Sequence, residues 1–552
     1  MTATGSAPPV PRSRERQLRT VLELALCGVL AVVPYLWRVV AGTRRLPNDD
    51  TWAYERIFAT FLDTGRIVLI DWNDINLVGM LPVARVWVAI VGHGPLQLHL
   101  LGALMALIAL LALRSILRLV APEATMLGIA SLGVFSGFVV TTGTFMADQF
   151  ALAGGLVAIA LAAHAVASPR PDRVRYLLVG AAVVAALFAF SVRQQSAVVA
   201  VTVVAVLFMA RPRLPLGWLG FAGPFGVLAG VFHLWRSALP DGGTVTFTFS
   251  SRMILAGWLV LGLSLCVALL PLVFASARRE VNLAVRLLAS AAAVVFALAV
   301  DAGAWVNDYL SPLGQLARGG AGVRAFAAVV LVNVVLTVVW AVRARRPELG
   351  DPILAGLLAG AALSVTFDVV AVALSSEYYS RYSLVTLALL LVVLARSVPR
   401  AGADTPGSGG RAWGAVAVLG LLAIWALDVT QAEPVAAQRA AELAACAGIE
   451  PHELDAGMVW MGSHSTGVVV ADHLSQPWID DGLPRTQYRR VFPNSTRRAV
   501  MLDDLPADLD GLGVEPVEGS GVLPLSSSTY WLVVADGEEA EALGACARRA
   551  AG

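Results

Sequence analysis

Long apolar blocks, separated by short Arg-bearing breaks, constrain this sequence more than any other feature. A helix of a soluble protein needs one apolar stripe, whereas a block apolar on every side for about 20 residues matches the hydrocarbon core of a bilayer. Such blocks fall at roughly 20–41, 96–119, 125–143, 149–167, 176–191, 195–210, 217–235, 252–276, 283–304, 322–342, 352–374, 383–398 and 412–428 by that length criterion. Only 14% of the residues are charged and 57% are hydrophobic, well away from a soluble domain. The expected fold class is an all-α polytopic membrane protein with about 13 transmembrane helices, carrying a small C-terminal domain.

The basic residues set an orientation. Arg12, Arg14, Arg16 and Arg19 precede the first block, which is too long for a secretory h-region and lacks a small-residue cleavage site, so it reads as a retained signal-anchor. With residues 1–19 as a cytoplasmic basic tail, alternate loops hold Arg114 and Arg118, then Arg170, Arg173 and Arg175, then Arg211 and Arg213. Further along come Arg278 and Arg279, then Arg343, Arg345 and Arg346, then Arg396, Arg400 and Arg411. This one-sided bias is the positive-inside pattern of a cell (plasma) membrane protein with its N-terminus inside. Residues 20–428 form the membrane domain, with a polar outer loop at 42–95. An odd number of spans puts residues 429–552 outside as an extracytoplasmic α/β or α+β domain. A net charge of +1 and the lack of any nucleic-acid motif give no reason to expect a nucleic-acid partner.

Candidate chemistry gathers on the outer side. Asp49 and Asp50 follow the first block, with Trp52 and Tyr54 just beyond. Charged side chains near lipid are costly, so a carboxylate pair there is expected to line a wet cavity. Asp also favours helix N-caps, and one of the two could simply cap the following interfacial helix, leaving the other without that explanation. Asp148 opens the fourth span at the same depth. Arg193, followed by Gln194, sits in a polar break between two spans, and Arg381 with Tyr382 opens the twelfth. A guanidinium fork matches phosphate oxygens, although a lone Arg at a span end more simply snorkels to headgroups. His93, His99, His464 and His473 show no metal-ligand spacing. Cys27 and Cys266 read as small apolar fillers within spans, while Cys446 and Cys546 share the outer tail. A disulfide between these last two is expected in an oxidising compartment, with two free thiols as the alternative.

The order of these motifs resembles the GT-C class of integral-membrane glycosyltransferases, in the branch with protein O-mannosyltransferases and lipid A aminoarabinose transferases. The resemblance rests on Asp49-Asp50 with Tyr54 after the first helix, on Thr144 to Asp148, on Ser191-Val192-Arg193-Gln194-Gln195-Ser196-Ala197, and on Arg381-Tyr382. It is carried mainly by the first 210 residues; Asp50 stands where that branch usually has Glu. The tail segment from Asp455 to Gly462 is similar to one in actinobacterial relatives.

The resemblance implies a polyprenyl-phosphate sugar as donor and an inverting single displacement on the outer face. Asp49, or else Asp50, would take the acceptor proton, and Asp148 would orient the acceptor. Arg193, Gln194, Arg381 and Tyr382 would hold the lipid phosphate, and Trp52 and Tyr54 would line the substrate cavity. The acceptor would be a glycan, lipid or protein hydroxyl. Such a leaving group requires no metal cofactor, although clustered carboxylates are compatible with Mg²⁺ or Mn²⁺. The competing classes are a polytopic transporter or lipid flippase, in which Asp301 or Asp368 would lie on a translocation path, and a non-catalytic receptor or scaffold.

Overall fold

The computed structural model describes residues 12–42, 50–70, 75–167, 171–210, 215–239, 267–275, 283–299, 351–374, 380–396, 408–465, 495–505, 512–523, 527–535 and 537–551. It also describes single positions at 262, 265, 325, 328, 329, 332, 333, 336, 398, 469, 483, 484, 486, 491 and 492. The expected acids Asp49 and Asp301, with Cys266 and His473, lie outside the described residues.

Helices α1 (Arg12–Ala41), α2 (Thr51–Thr64), α3 (Met80–Val91) and α4 (Pro95–Val120) open the chain. They are followed by α5 (Thr125–Gly133), α6 (Ser136–Thr141), α7 (Ala147–Ala167), α8 (Asp172–Val192), α9 (Ala197–Ala210) and α10 (Pro215–Ser237). Then come α11 (Leu283–Ala299), α12 (Pro352–Leu374), α13 (Leu384–Ala395) and α14 (Ser408–Cys446). Among the described residues, seven helices are long and apolar enough to cross a membrane, and four apolar helices are shorter. Outward-facing residues such as Leu234, 71% exposed on α10, are the surface a lipid tail covers. The molecule is a multi-pass helical membrane protein with a small strand-containing C-terminal domain.

Two expected spans take a different shape. The block at 125–143 is broken into α5 and α6, because Phe135 adopts an extended backbone between them. The block at 412–428 is the first part of one 39-residue helix, α14, about 58 Å long at the usual rise. No break therefore occurs at 429. The helix leaves the apolar layer and becomes a wall of the C-terminal domain. There Ala436, Ala440 and Ala444, spaced one turn apart, pack against Leu532, Val534 and Leu543.

That domain contains β1 (Leu454–Asp455), α15 (Gly457–His464), β2 (Ala499–Leu502), β3 (Gly513–Ser520), β4 (Ser527–Val534) and α16 (Glu538–Ala551). Its four strands run in the order β1-β2-β4-β3, parallel only between β1 and β2. Val500 faces Val533 and Met501 faces Leu532 across the central pair. The apolar members of each strand alternate toward α14 and α16, so the architecture is α+β. Cys446 at the end of α14 is disulfide-bonded to Cys546 in α16.

Two contacts seat this domain on the membrane helices. The Asp428 carboxylate accepts from Trp37 Nε1 at 2.7 Å and from the backbone N–H groups of Val522 (2.6 Å) and Leu523 (2.9 Å). Gly462 of α15 lies directly on the Trp52 indole, which any Cβ there would overlap. Trp52 also meets Phe492 edge-on at 5.7 Å between ring centres. The C-terminal domain thus rests on α2, the helix that follows the acidic motif.

Candidate functional site

Each site residue is delivered by a helix terminus. Asp50 occupies the N-cap position of α2, but its side chain makes no capping bond; instead it accepts from Arg381 Nη2 at 2.8 Å. Helix α2 stops at Gly65, whose φ of 68° and N–H bond to the Phe61 carbonyl make a left-handed cap. Tyr54 stands one turn after Asp50 and is 6% exposed. Burial, and then the Asp50 carboxylate, hold its phenol well above the ordinary tyrosine value, so it acts as a hydroxyl and not as an anion.

Asp148 lies in the first turn of α7, where the helix dipole favours a carboxylate. Its position depends on the preceding turn, which crosses Gly102 of α4; a Cβ there would collide with the Thr144 carbonyl. Gln149 fixes the same turn by donating Nε2 hydrogen bonds to the Phe138 carbonyl and to the hydroxyls of Thr141 and Thr142.

Arg193 is the extended residue that separates α8 from α9. The last carbonyls of α8 are taken by the loop before α3: Leu77 N–H bonds Val192 O at 2.8 Å and Gly79 N–H bonds Ser191 O at 3.0 Å. With the orphan carbonyls satisfied, the chain can turn sharply there and aim the guanidinium inward. Arg193 Nη1 donates to Asp148 Oδ1. Its guanidinium also lies 4.6 Å above the Tyr382 ring, while that of Arg381 is 5.4 Å from the same ring. Two cations thus approach one aromatic ring, an arrangement that the ring quadrupole and the flanking carboxylates make tolerable.

These groups border a narrow cleft that opens to the surface. Asp148, Arg193, Arg381 and Tyr382 line it, with Gln195, Ser196, Ser364, Asp368 and Thr386. Asp50 stands behind Arg381. The structure therefore gathers Asp50, Asp148, Arg193, Arg381, Tyr382 and Tyr54, from four distant segments.

Other expected site residues have different work. Trp52 points to the C-terminal domain and is not among the lining residues. Gln194 accepts from the Asn76 backbone N–H at 3.2 Å and holds the loop before α3, while its neighbours Gln195 and Ser196 face the cleft. Asp368, read from the sequence only as a transport-path residue, lines this same cleft together with Ser364 and Thr386. The available signal was its position: a carboxylate inside an apolar span is costly unless it serves something. Among the described residues no group of three or more His, Cys, Asp and Glu comes together as a metal site.

No protein-family model matches this chain, and no curated protein sequence matches it. Among solved structures, the chain is similar to ArnT from Cupriavidus metallidurans in the apo state, at 14% identity and a TM-score of 0.41, covering 94% of this chain and 98% of that one. It is also similar to the same protein bound to undecaprenyl phosphate, at 14% identity and a TM-score of 0.40, covering 93% and 98%.

Proposed function

We propose that this chain is a membrane glycosyltransferase of the GT-C type, moving a sugar from a polyprenyl-phosphate donor to an acceptor hydroxyl on the outer face. The single observation that carries the reading is the convergence of Asp50–Arg381 and Asp148–Arg193 around Tyr382 at one cleft. Carboxylates for a proton and guanidiniums for a phosphate are the two charge types this displacement needs.

In the proposed step the acceptor oxygen attacks the anomeric carbon. Its proton goes to a carboxylate of the Asp49–Asp50 pair, and Asp148 orients the hydroxyl. The bond between the anomeric carbon and the phosphate oxygen breaks, and the polyprenyl phosphate leaves with the electron pair and one more negative charge. Arg193 and Arg381 face that developing charge. Both already hold a carboxylate, yet a guanidinium has five N–H donors. The Nε of Arg193 is buried with no hydrogen-bond partner among the described residues, so it has a donor to give. The two cations supply the charge compensation that a metal would otherwise provide, so the step as drawn requires no metal. The sugar, whether hexose or pentose, and the acceptor, whether glycan, lipid or protein, are left to the test.

A transport reading has one observation on its side, the buried carboxylate of Asp368 beside the same cleft. The deciding experiment incubates purified protein with polyprenyl phosphates carrying labelled mannose, glucose or arabinose and an acceptor membrane fraction. Sugar leaves one donor for the acceptor if the proposal holds, and the transfer disappears in the Asp49→Asn, Asp50→Asn double variant. Normal transfer by a folded double variant ends the assignment of that pair.

A further inference from the structure

The buried polar group that the step above does not use is Asp368. It is 6% exposed, on α12, six residues before Leu374, which puts it about 9 Å below the outer end of that helix. Ser364 stands one turn away on the same face of α12, and Thr386 approaches from the first turn of α13. Thr386 donates its hydroxyl to Asp368 Oδ2 at 2.5 Å. The Ser364 and Thr386 oxygens are also 2.5 Å apart. The one proton on Thr386 is already used, so Ser364 is the donor in that second bond. Among the described residues no arginine or histidine pairs with Asp368, and no side chain donates to its Oδ1. A carboxylate kept at membrane depth with one hydroxyl partner is costly, and it is an acceptor in search of donors.

Its surroundings say what kind of donor. The lining carries the guanidiniums of Arg193 and Arg381, each paired with another acid, and also Asp368, Ser364 and Thr386. An anion is drawn to the guanidiniums and repelled by the Asp368 carboxylate. A neutral polyol is suited to the Asp368 group, since ring hydroxyls donate to a carboxylate and to the lone pairs left on a serine or threonine hydroxyl.

We infer that Asp368, with Ser364 and Thr386, is the subsite that recognises the hydroxyls of the donor sugar and selects among sugars, while the arginines take the phosphate. This rests on the proposed function for the chemical class of the ligand. It assigns to the chain's own residues a specificity role separate from proton transfer and from phosphate binding.

The test reads binding, so that turnover is not needed. Purified protein in detergent is titrated with polyprenyl phosphate alone and with the same lipid carrying mannose, glucose or arabinose. In Asp368→Asn, affinity for the preferred sugar-bearing lipid is expected to fall about tenfold or more, the loss of a hydrogen bond to a charged group. Affinity for the sugarless lipid should stay within about twofold, and the differences among the three sugars should shrink. Thr386→Val, close in shape, is the second variant if Asp368→Asn does not fold, and it should show the same selectivity loss to a smaller degree. Equal weakening of sugar-bearing and sugarless lipids overturns the subsite, as does no change in either. A proton-dependent flux lost in Asp368→Asn with sugar binding intact overturns it in favour of transport. Wild-type protein that prefers a sugar-bearing lipid through Asp368 but transfers nothing leaves the subsite standing and retires the catalytic reading instead.

Discussion

Two ends of the same helical bundle hold carboxylates against arginines, and they are built differently. Near the start of α1, the Glu23 carboxylate accepts from Arg114 Nε at 2.9 Å and Arg118 Nε at 2.7 Å, with Arg19 Nε at 3.3 Å. Three cations close on one anion, Arg118 also donates to Thr20, and none of these residues lines the cleft. At the other end, roughly 22 Å along α1 if measured from Glu23 to Arg38, Asp50 meets Arg381 and Asp148 meets Arg193, and Asp148 and both arginines border open space. Identical side-chain chemistry makes a staple where protein closes around it, and a binding surface where a cleft is left. The sequence pointed to the acids and arginines that border the cleft and did not single out Glu23; that Glu23 is closed in by three arginines is seen only in three dimensions.

The strongest way to break this comparison is to neutralise one acid at each end. Asp50→Asn with Asp49→Asn is expected to cut transfer by about 10²–10⁴-fold, the usual value of a positioned base, in protein that still folds although Arg381 loses a carboxylate partner. Glu23→Gln is expected to do the reverse. It should leave transfer per folded molecule unchanged and cost about 3–5 kcal/mol of stability, toward the lower figure because Arg118 is 36% exposed and water can take over part of its charge. Unfolding curves in detergent beside transfer assays read both. If Glu23→Gln abolishes transfer in folded protein, the division between staple and site is wrong.

Much of this was legible beforehand, for reasons that are local. The spans that became α1, α4, α7, α8 and α12 are apolar on all sides, and nothing outside them decides their helicity. The site residues were findable because a charge at a span end must be explained. What escaped depends on partners distant in sequence. Asp428, Thr430, Gln431 and Glu433 look like the end of a helix, since they end the apolar run. The helix continues because the C-terminal sheet offers a new apolar surface to Ala436 and Ala440. Trp52 looked like a cavity residue because it neighbours Asp50. It faces Gly462, whose lack of a side chain could not be linked to it from the sequence. Gln194 and Gln195 are adjacent and equivalent on paper; the structure gives Gln194 a bond from the Asn76 backbone and puts Gln195 in the lining.

The comparison extends to a covalent staple. Cys446 and Cys546 are 100 residues apart in sequence, so a chain-entropy argument gives the C-terminal domain about 4.7 kcal/mol from the bond. Mild reduction, or Cys446→Ser with Cys546→Ser, should lower the unfolding temperature of that domain while the membrane helices keep theirs. Protease sensitivity confined to residues after 446 would be the readout. Equal loss across both parts would mean that the domain and the bundle unfold as one unit, and that the contacts at Asp428 and Trp52 couple them more tightly than the disulfide does.

A smaller effect is expected at Tyr382, which belongs to the open end. Its ring faces both guanidiniums, an interaction worth about 0.5–2 kcal/mol per cation when shielded from water. Tyr382→Leu should weaken binding of sugarless polyprenyl phosphate by about tenfold at most, through arginines that are less well held, whereas Tyr382→Phe should keep the ring and most of the affinity. A Phe variant as weak as the Leu variant would move the role from the ring to the hydroxyl.

The smallest expected effect is in the domain that covers α2, and it depends on pH. His464 stacks on Trp460 at 3.9 Å between ring centres, and burial pushes its pKa below the usual 6.5. The native state therefore binds fewer protons than the unfolded chain as acid is added. Stability is full above pH 6.5 and is lost progressively as the pH falls from there toward the native-state value, because the unfolded chain takes up its proton first. His464→Gln should flatten this part of the stability–pH curve without altering the curve at neutral pH. Because α15 sits on Trp52, the same acid step should raise Trp52 accessibility to a collisional quencher before the helices respond. A curve as steep in the variant as in the wild type would assign the acid sensitivity to another group, and would remove the argument that the covering domain loosens ahead of the bundle.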